Sequence, residues 1–103
     1  MNNIFSDLPQ SLEQEVFEEI VNSGPVRIER IISHGHSSPE TGWYQQDENE
    51  WVIVLSGTGT LRLDNGEDIT LGPGDYHLIP AQQPHKVIQT AADEPTIWLA
   101  VFF

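Results

Sequence analysis

The sequence predicts an all-β domain that carries one short helix at its N-terminus. From Val26 onward, apolar and polar residues alternate or apolar residues form short β-branched runs, as is typical of strands. Gly, Pro and Asn-Gly signals separate these runs at short and regular intervals. Helical spacing of apolar residues occurs only before residue 25. Short strands divided by turns favour an antiparallel sandwich or barrel.

The helix is expected in an N-terminal segment, residues 1–25, that packs on a barrel formed by residues 26–103. Apolar residues follow each other there at four-residue intervals, which places them on one helical face. These residues are Leu12, Val16 and Ile20. Ser11 can cap the start of the helix, and Asn22 to Pro25 supply its end.

Seven or eight strands are predicted in all. The clearest cover residues 26–32, 51–55, 60–63, 69–71, 76–79, 86–90 and 96–103. Asp64-Asn65-Gly66 is a strong hairpin signal between two of them. The apolar end, Trp98 to Phe103, is compatible with either the core of the domain or an interface between two copies.

Length and charge restrict the classes of function. A chain of 103 residues with 38% apolar residues is expected to form one globular domain. Sixteen acidic residues against four Lys and Arg give a net charge of −12, which repels nucleic acid and anionic membranes. We therefore expect a small-molecule ligand, with neither nucleic acid nor membrane as a partner.

The composition also favours a cytoplasmic location. The sequence has no cysteine, which is compatible with a reducing compartment and excludes thiolate metal sites. Residues 1–10 contain no basic residue and no apolar run of signal-peptide length, and no run later in the sequence is long enough to span a membrane.

Glu50 and His85 are the first candidates for a functional site. On an alternating strand Glu50 shares a face with Val52 and Val54, and a buried carboxylate requires a cation or strong donors nearby. The alternative is that Glu50 belongs to a solvated acidic turn. His85 similarly shares a face with Val87, and the alternative for it is a hydrogen-bonded core histidine.

Two motifs resemble those of the cupin family. The stretch from Glu50 to Gly57 is similar to the end of the first cupin motif, in which six residues separate a metal-binding Glu from a Gly. The spacing of Gly74, Pro80 and His85 resembles the second motif, G-x5-P-x-G-x-x-H-x3-N. The resemblance implies an antiparallel double-stranded β-helix, the jelly-roll or cupin barrel.

The resemblance implies that Glu50 and His85 are metal ligands, but other positions depart from the pattern. The family places two histidines shortly before its Glu, where this sequence has Tyr44 and Gln46, or Trp43 and Gln45. Gln46 is then an oxygen ligand in place of a histidine. In the second motif, the positions of the usual Gly and Asn are occupied by Gln82 and Gln89, respectively.

His34 and His36 are the alternative metal ligands, although they lie well before Glu50 and after a complete strand. With Glu50 they would form a site of two imidazoles and a carboxylate. The expected ion is divalent Fe, Mn, Ni or Zn. Trp43 and Tyr44, at the barrel mouth, would offer a stacking surface to a small ring compound.

Three functions remain open at this point. The first is a cupin-like small-molecule-binding protein with a degenerate metal site, acting as a dioxygenase, isomerase or similar enzyme. The second is a ligand-binding or sensory module without catalysis. The third is a metal-free, epimerase-like enzyme in which His85 is the base and Tyr44 the acid. The resemblance also implies a homodimer as one alternative for the oligomeric state.

Overall fold

The structure, a computed structural model, describes residues 2–9, 12–38 and 42–103. Every regular secondary-structure element within these ranges is a β-strand. Eight strands form two antiparallel sheets. They are β1 (Val16–Ser23), β2 (Val26–Ser33), β3 (Glu50–Ser56), β4 (Gly59–Leu63), β5 (Asp68–Leu71), β6 (Tyr76–Ile79), β7 (His85–Thr90) and β8 (Thr96–Phe102). The strands predicted after Pro25 are all present.

The predicted N-terminal helix is wrong, because Val16–Ser23 is strand β1. A four-residue spacing is a multiple of two, so it places Val16 and Ile20 on one side of a strand as readily as on one face of a helix. The expected helix end is instead a two-residue turn, with Gly24 at a φ of 59°, that returns the chain into β2. The predicted cap, Ser11, lies outside the described residues.

Pairing with β2 explains why the strand prevails over the helix. The two strands are in antiparallel register from Val16 opposite Ile32 to Ser23 opposite Val26, with a bulge between Glu19 and Val21. A single short helix is marginal in water, whereas β1 adds a set of hydrogen bonds on both sides of its bulge to an existing sheet edge. Tertiary pairing therefore overrides the local pattern.

The two sheets enclose one apolar core. The larger has the order β1-β2-β8-β3-β6 and the smaller has the order β5-β4-β7. Both contribute inward-facing side chains to a single buried cluster. Its members are Ile31, Val52, Val54, Leu61, Leu71, Ile79, Trp98, Ala100 and Phe102.

Strand β8 lies in the middle of the larger sheet, between β2 and β3. Trp98, Ala100 and Phe102 are buried within the single chain, whereas Phe103 is about half exposed. The apolar end was expected either in the core or at an interface between two copies. Burial in the core explains these three side chains, and an interface is not needed for them.

The N-terminal residues are attached to the larger sheet by a buried guanidinium. Arg30, on β2, donates hydrogen bonds to the backbone oxygens of Ile4 and Ser6, at 3.1 and 2.7 Å, and forms an ion pair with Glu18 on β1. A charged group this deeply buried is stable only with such partners. No helix long and apolar enough to cross a membrane occurs among the described residues.

Candidate functional site

A cavity of about 160 Å³ lies at one end of the core and is lined by residues of both sheets. Most of its wall is apolar. These side chains are Phe17, Ile31, Val52, Leu61, Val87, Trp98 and Phe102. Five described residues contribute polar groups, and they are Glu15, Tyr44, Gln46, Glu50 and His85. An apolar pocket with a few convergent polar groups is the usual form of a small-molecule site.

Glu50 and His85 meet at the wall of this cavity. Each is the first residue of its strand, β3 and β7, and strand alternation turns Glu50 inward with Val52 and Val54. Their side chains are only 12% and 7% exposed, and His85 Nε2 lies 3.5 Å from Glu50 Oε1. Glu50 is thus a buried carboxylate rather than part of a solvated turn, and it has the partner that its burial requires.

Further hydrogen bonds orient both members of the pair. The amide nitrogen of Gln46 donates to Glu50 Oε1 at 3.1 Å. His85 Nδ1 donates to the backbone oxygen of Gln83 at 2.9 Å, which leaves Nε2 as the nitrogen that gains or loses the proton. Two backbone hydrogen bonds between Tyr44 and His85, at 2.8 and 2.9 Å, connect the segment before β3 to the start of β7.

The loop before His85 contains a glutamine, Gln82, where the second cupin motif usually has a glycine. Gln82, which occupies the usual glycine position, has a φ of 69°, in the left-handed region that favours glycine. Its backbone N–H donates to Gln46 O at 2.8 Å, and its amide donates to Asp47 Oδ1 at 2.5 Å. These bonds offset the strain and hold Gln46 beside Glu50.

The environment of His85 raises its pKa. Burial lowers the pKa, but hydrogen bonding to Glu50 and Gln83 and the charge of Glu50 outweigh that effect and bring it above the ordinary value of 6.5. Protonated His85 therefore stabilises the fold fully below about pH 6.5. This contribution is lost as the pH rises through the folded pKa.

We accordingly predict that the free energy of unfolding falls as the pH rises from 6 to 9, and that His85→Gln lacks this component. Urea unfolding of both proteins at a series of pH values measures the difference, and the other three histidines are common to both. A difference that stays constant or grows with pH would contradict the prediction.

Of the two aromatic residues predicted to contact a ligand, the structure brings Tyr44 into the cavity wall and not Trp43. The ring centroids of Tyr44 and His85 are 6.1 Å apart. The Trp43 ring lies under the ammonium group of Lys86, with Nζ 4.5 Å from the ring centroid. Tyr44 is therefore the aromatic residue placed to contact a molecule beside His85.

His34 and His36 lie in the turn after β2 and are not among the described cavity residues. His34 Nε2 is 3.0 Å from the backbone oxygen of Ala92, and the backbone N–H of His34 donates to His36 Nδ1 at 2.8 Å. The structure thus joins these two histidines to each other and not to the Glu50–His85 pair.

The polar groups of the cavity do not fit a divalent metal ion. Across the described ranges, no three His, Cys, Asp or Glu residues are grouped so that they could hold one. Glu50 and His85 contact each other, and Gln46 presents its amide nitrogen, a donor, to Glu50. The Glu50 carboxylate and the His85 imidazole alone fall short of the three protein ligands of a facial site, and Glu15 is not grouped with them.

Glu15 also lines this cavity, a position that a helix in residues 1–25 did not indicate. Its Oε2 accepts a hydrogen bond of 2.5 Å from Ser33 Oγ, which itself accepts one of 3.2 Å from Trp98 Nε1. Glu15 immediately precedes β1 and alternates with Phe17, which also lines the cavity. A strand interpretation of residues 15–21 would have placed both on one side.

Comparisons with known proteins agree with this architecture. Residues 28–102 match the sequence model of the family described as "Cupin domain". A solved structure from Ralstonia eutropha JMP134, suggested to be a mannose-6-phosphate isomerase, is 37% identical, with a TM-score of 0.95 over 99% of this chain and 95% of its own. An RmlC-like cupin with a double-stranded β-helix fold from Methanocaldococcus jannaschii is 19% identical, with a TM-score of 0.72 over 93% and 85%.

One curated relative matches this chain over only part of its own length. L-ectoine synthase of Mycobacteroides abscessus is 38% identical over 61 residues, which are 58% of this chain and 45% of that protein. The match thus spans less than half of the relative. Together the comparisons confirm the expected cupin barrel, apart from its N-terminal helix.

Proposed function

Because this chain belongs to the cupin family, whose model matches residues 28–102, we propose that its cavity binds a small molecule and that His85 transfers a proton to and from it without a metal ion. One observation carries the proposal. His85 Nδ1 is held by the Gln83 carbonyl, while Nε2 faces Glu50 at the cavity wall. This is the arrangement of an acid–base histidine whose tautomer and charge are set by its neighbours.

Each polar residue has a role in this proposal. His85 Nε2 accepts a proton from the ligand, and the carboxylate of Glu50 stabilises the resulting imidazolium. Gln46 keeps Glu50 in place through its amide. The raised pKa makes neutral His85 a stronger base than free imidazole. Tyr44, whose ring borders the same cavity and lies 6.1 Å from the His85 ring between centroids, is the group that returns a proton to the ligand.

The similarity to a protein suggested to be an isomerase supports this class of reaction without identifying the substrate. Isomerisation of a carbonyl compound requires the removal of a proton from one carbon and its return to another. A histidine base and a phenol acid suffice for that step.

The test is the exchange of C–H hydrogens for deuterium in D₂O, followed by proton NMR. The probe is phenylacetone, a small ketone with acidic hydrogens beside its carbonyl, and the protein is first treated with EDTA. We expect exchange above the buffer rate, a loss of about 100-fold or more in His85→Gln, and no loss in His77→Gln. His77, on β6, is a histidine outside the described cavity wall and serves as the matched control.

Two results would overturn the proposal. Exchange that disappears with chelation and returns with Fe, Mn, Ni or Zn would establish a metal-dependent site at Glu50 and His85. Equal exchange in the wild type, His85→Gln and buffer would leave a binding module without catalysis.

A further inference from the structure

The charge of the cavity is negative in either protonation state of His85. Among the described residues of its wall there are two carboxylates, Glu15 and Glu50, one imidazole, and neither Lys nor Arg. Protonated His85 balances Glu50, which leaves the charge of Glu15. Neutral His85 leaves both charges. The wall therefore favours a positive group on the ligand.

Glu15 is held in position with hydrogen-bonding capacity to spare. Trp98 Nε1 donates to Ser33 Oγ, and Ser33 Oγ donates to Glu15 Oε2. Ser33 and Trp98 are buried, so this chain of bonds ties the carboxylate to the core. A carboxylate offers about four acceptor positions, of which Ser33 occupies one. The others can receive the N–H groups of a ligand.

The rest of the wall suits the apolar body of such a ligand. Four aromatic rings border the cavity, and they belong to Phe17, Tyr44, Trp98 and Phe102. Aromatic faces attract organic cations. A volume of about 160 Å³ is close to that of cavities that accept benzene, which limits the ligand to about one ring with small substituents.

The basic side chains Arg27 and Lys86 have other partners and are not among the described residues of the wall. Arg27 lies against Phe102 and pairs with Glu29 and Glu48, both at 3.2 Å. Lys86 lies over Trp43. Among the described residues of the wall, Glu15 thus carries the negative charge that His85 does not balance in either of its protonation states.

We infer that Glu15 makes this cavity selective for a small organic cation, an ammonium group attached to a ring-sized apolar body. The inference rests on the proposed use of the cavity as a small-molecule site, but it does not require proton transfer by His85. Glu15 is a specificity-determining residue in this account, and the ammonium group donates its hydrogen bonds to the Glu15 carboxylate.

Titration calorimetry with three probes of the same ring tests this selectivity. The probes are benzylamine, which is cationic at neutral pH, benzyl alcohol and benzoate. We expect benzylamine to bind at least about 10-fold more tightly than benzyl alcohol, and benzoate to bind most weakly. Glu15→Gln, which can still accept the Ser33 hydrogen bond, is expected to reduce benzylamine binding to the level of benzyl alcohol.

Glu13→Gln is the matched control, because it removes the same charge from an exposed position two residues away. It is expected to change benzylamine affinity by less than about twofold. The inference is overturned if benzoate binds as well as benzylamine, if Glu15→Gln keeps the preference, or if no probe binds. Benzylamine selectivity without deuterium exchange would refute proton transfer alone, whereas exchange without selectivity would refute only the role of Glu15.

Discussion

Replacement of His85 with leucine is expected to lower the free energy of unfolding by about 3 kcal/mol, because it leaves Glu50 buried without its cation. Glu50 keeps one donor, the amide of Gln46, which satisfies part of the carboxylate but does not balance its charge. The value is at the lower end for a broken buried pair, since both groups border a cavity. Urea unfolding at pH 6, where His85 of the wild type is protonated, measures the loss.

The double variant Glu50→Leu/His85→Leu distinguishes two causes of the stability loss in His85→Leu. One is the missing charge partner of Glu50, and the other is the missing packing of the His85 ring. It removes both charges and leaves apolar side chains in an apolar wall. We expect its stability to lie within about 1 kcal/mol of the wild type, because apolar replacements of a buried ion pair are often neutral. A double variant as unstable as His85→Leu would show that the shape of His85, and not its charge, stabilises this region.

The second large effect is expected at Arg30, on the opposite side of the larger sheet from the site residues discussed above. Arg30→Met removes the donors to Ile4 O and Ser6 O and leaves Glu18 without its ion pair. Hydrogen bonds from a charged group contribute about 1.5 to 3 kcal/mol each, and the freed carbonyls can regain water once the segment detaches. We therefore expect a net loss of about 2 to 3 kcal/mol in the free energy of unfolding.

Detachment of residues 2–9 is the specific part of this prediction. Chymotrypsin should cleave after Phe5 in Arg30→Met under conditions that leave the wild type intact. Arg62→Met is the matched control, because Arg62 pairs with Asp68 on the surface and exposed pairs contribute little. Equal cleavage of the wild type and Arg30→Met would show that Arg30 does not hold the N-terminal residues.

Most strands of the barrel can be predicted from the sequence, because the patterns that indicate them involve residues close together in the chain. Strand alternation and turn residues predict β2 to β8, and the same alternation turns Glu50 and His85 toward the interior. Each of the two cupin-like motifs that contain these residues is likewise a short stretch of consecutive residues. Each of these features requires only neighbours in sequence.

Other features depend on contacts between residues that are distant in the chain. Val16 and Ile20 fit a helix and a strand equally, and pairing with β2 selects the strand. That strand places Glu15 against Ser33, which no spacing within residues 1–25 indicates. Gln82 adopts a left-handed φ at a position where glycine is expected, because the segment before β3 supplies its hydrogen bonds.

The chemistry of the site divides in the same way. Residue type alone establishes that Glu50 and His85 can exchange a proton or bind an ion. The folded chain brings Nε2 to 3.5 Å from the carboxylate and assigns Nδ1 to the Gln83 carbonyl. Distances and directions of this kind arise from the packing of two sheets against each other. The order of residues along the chain does not determine them.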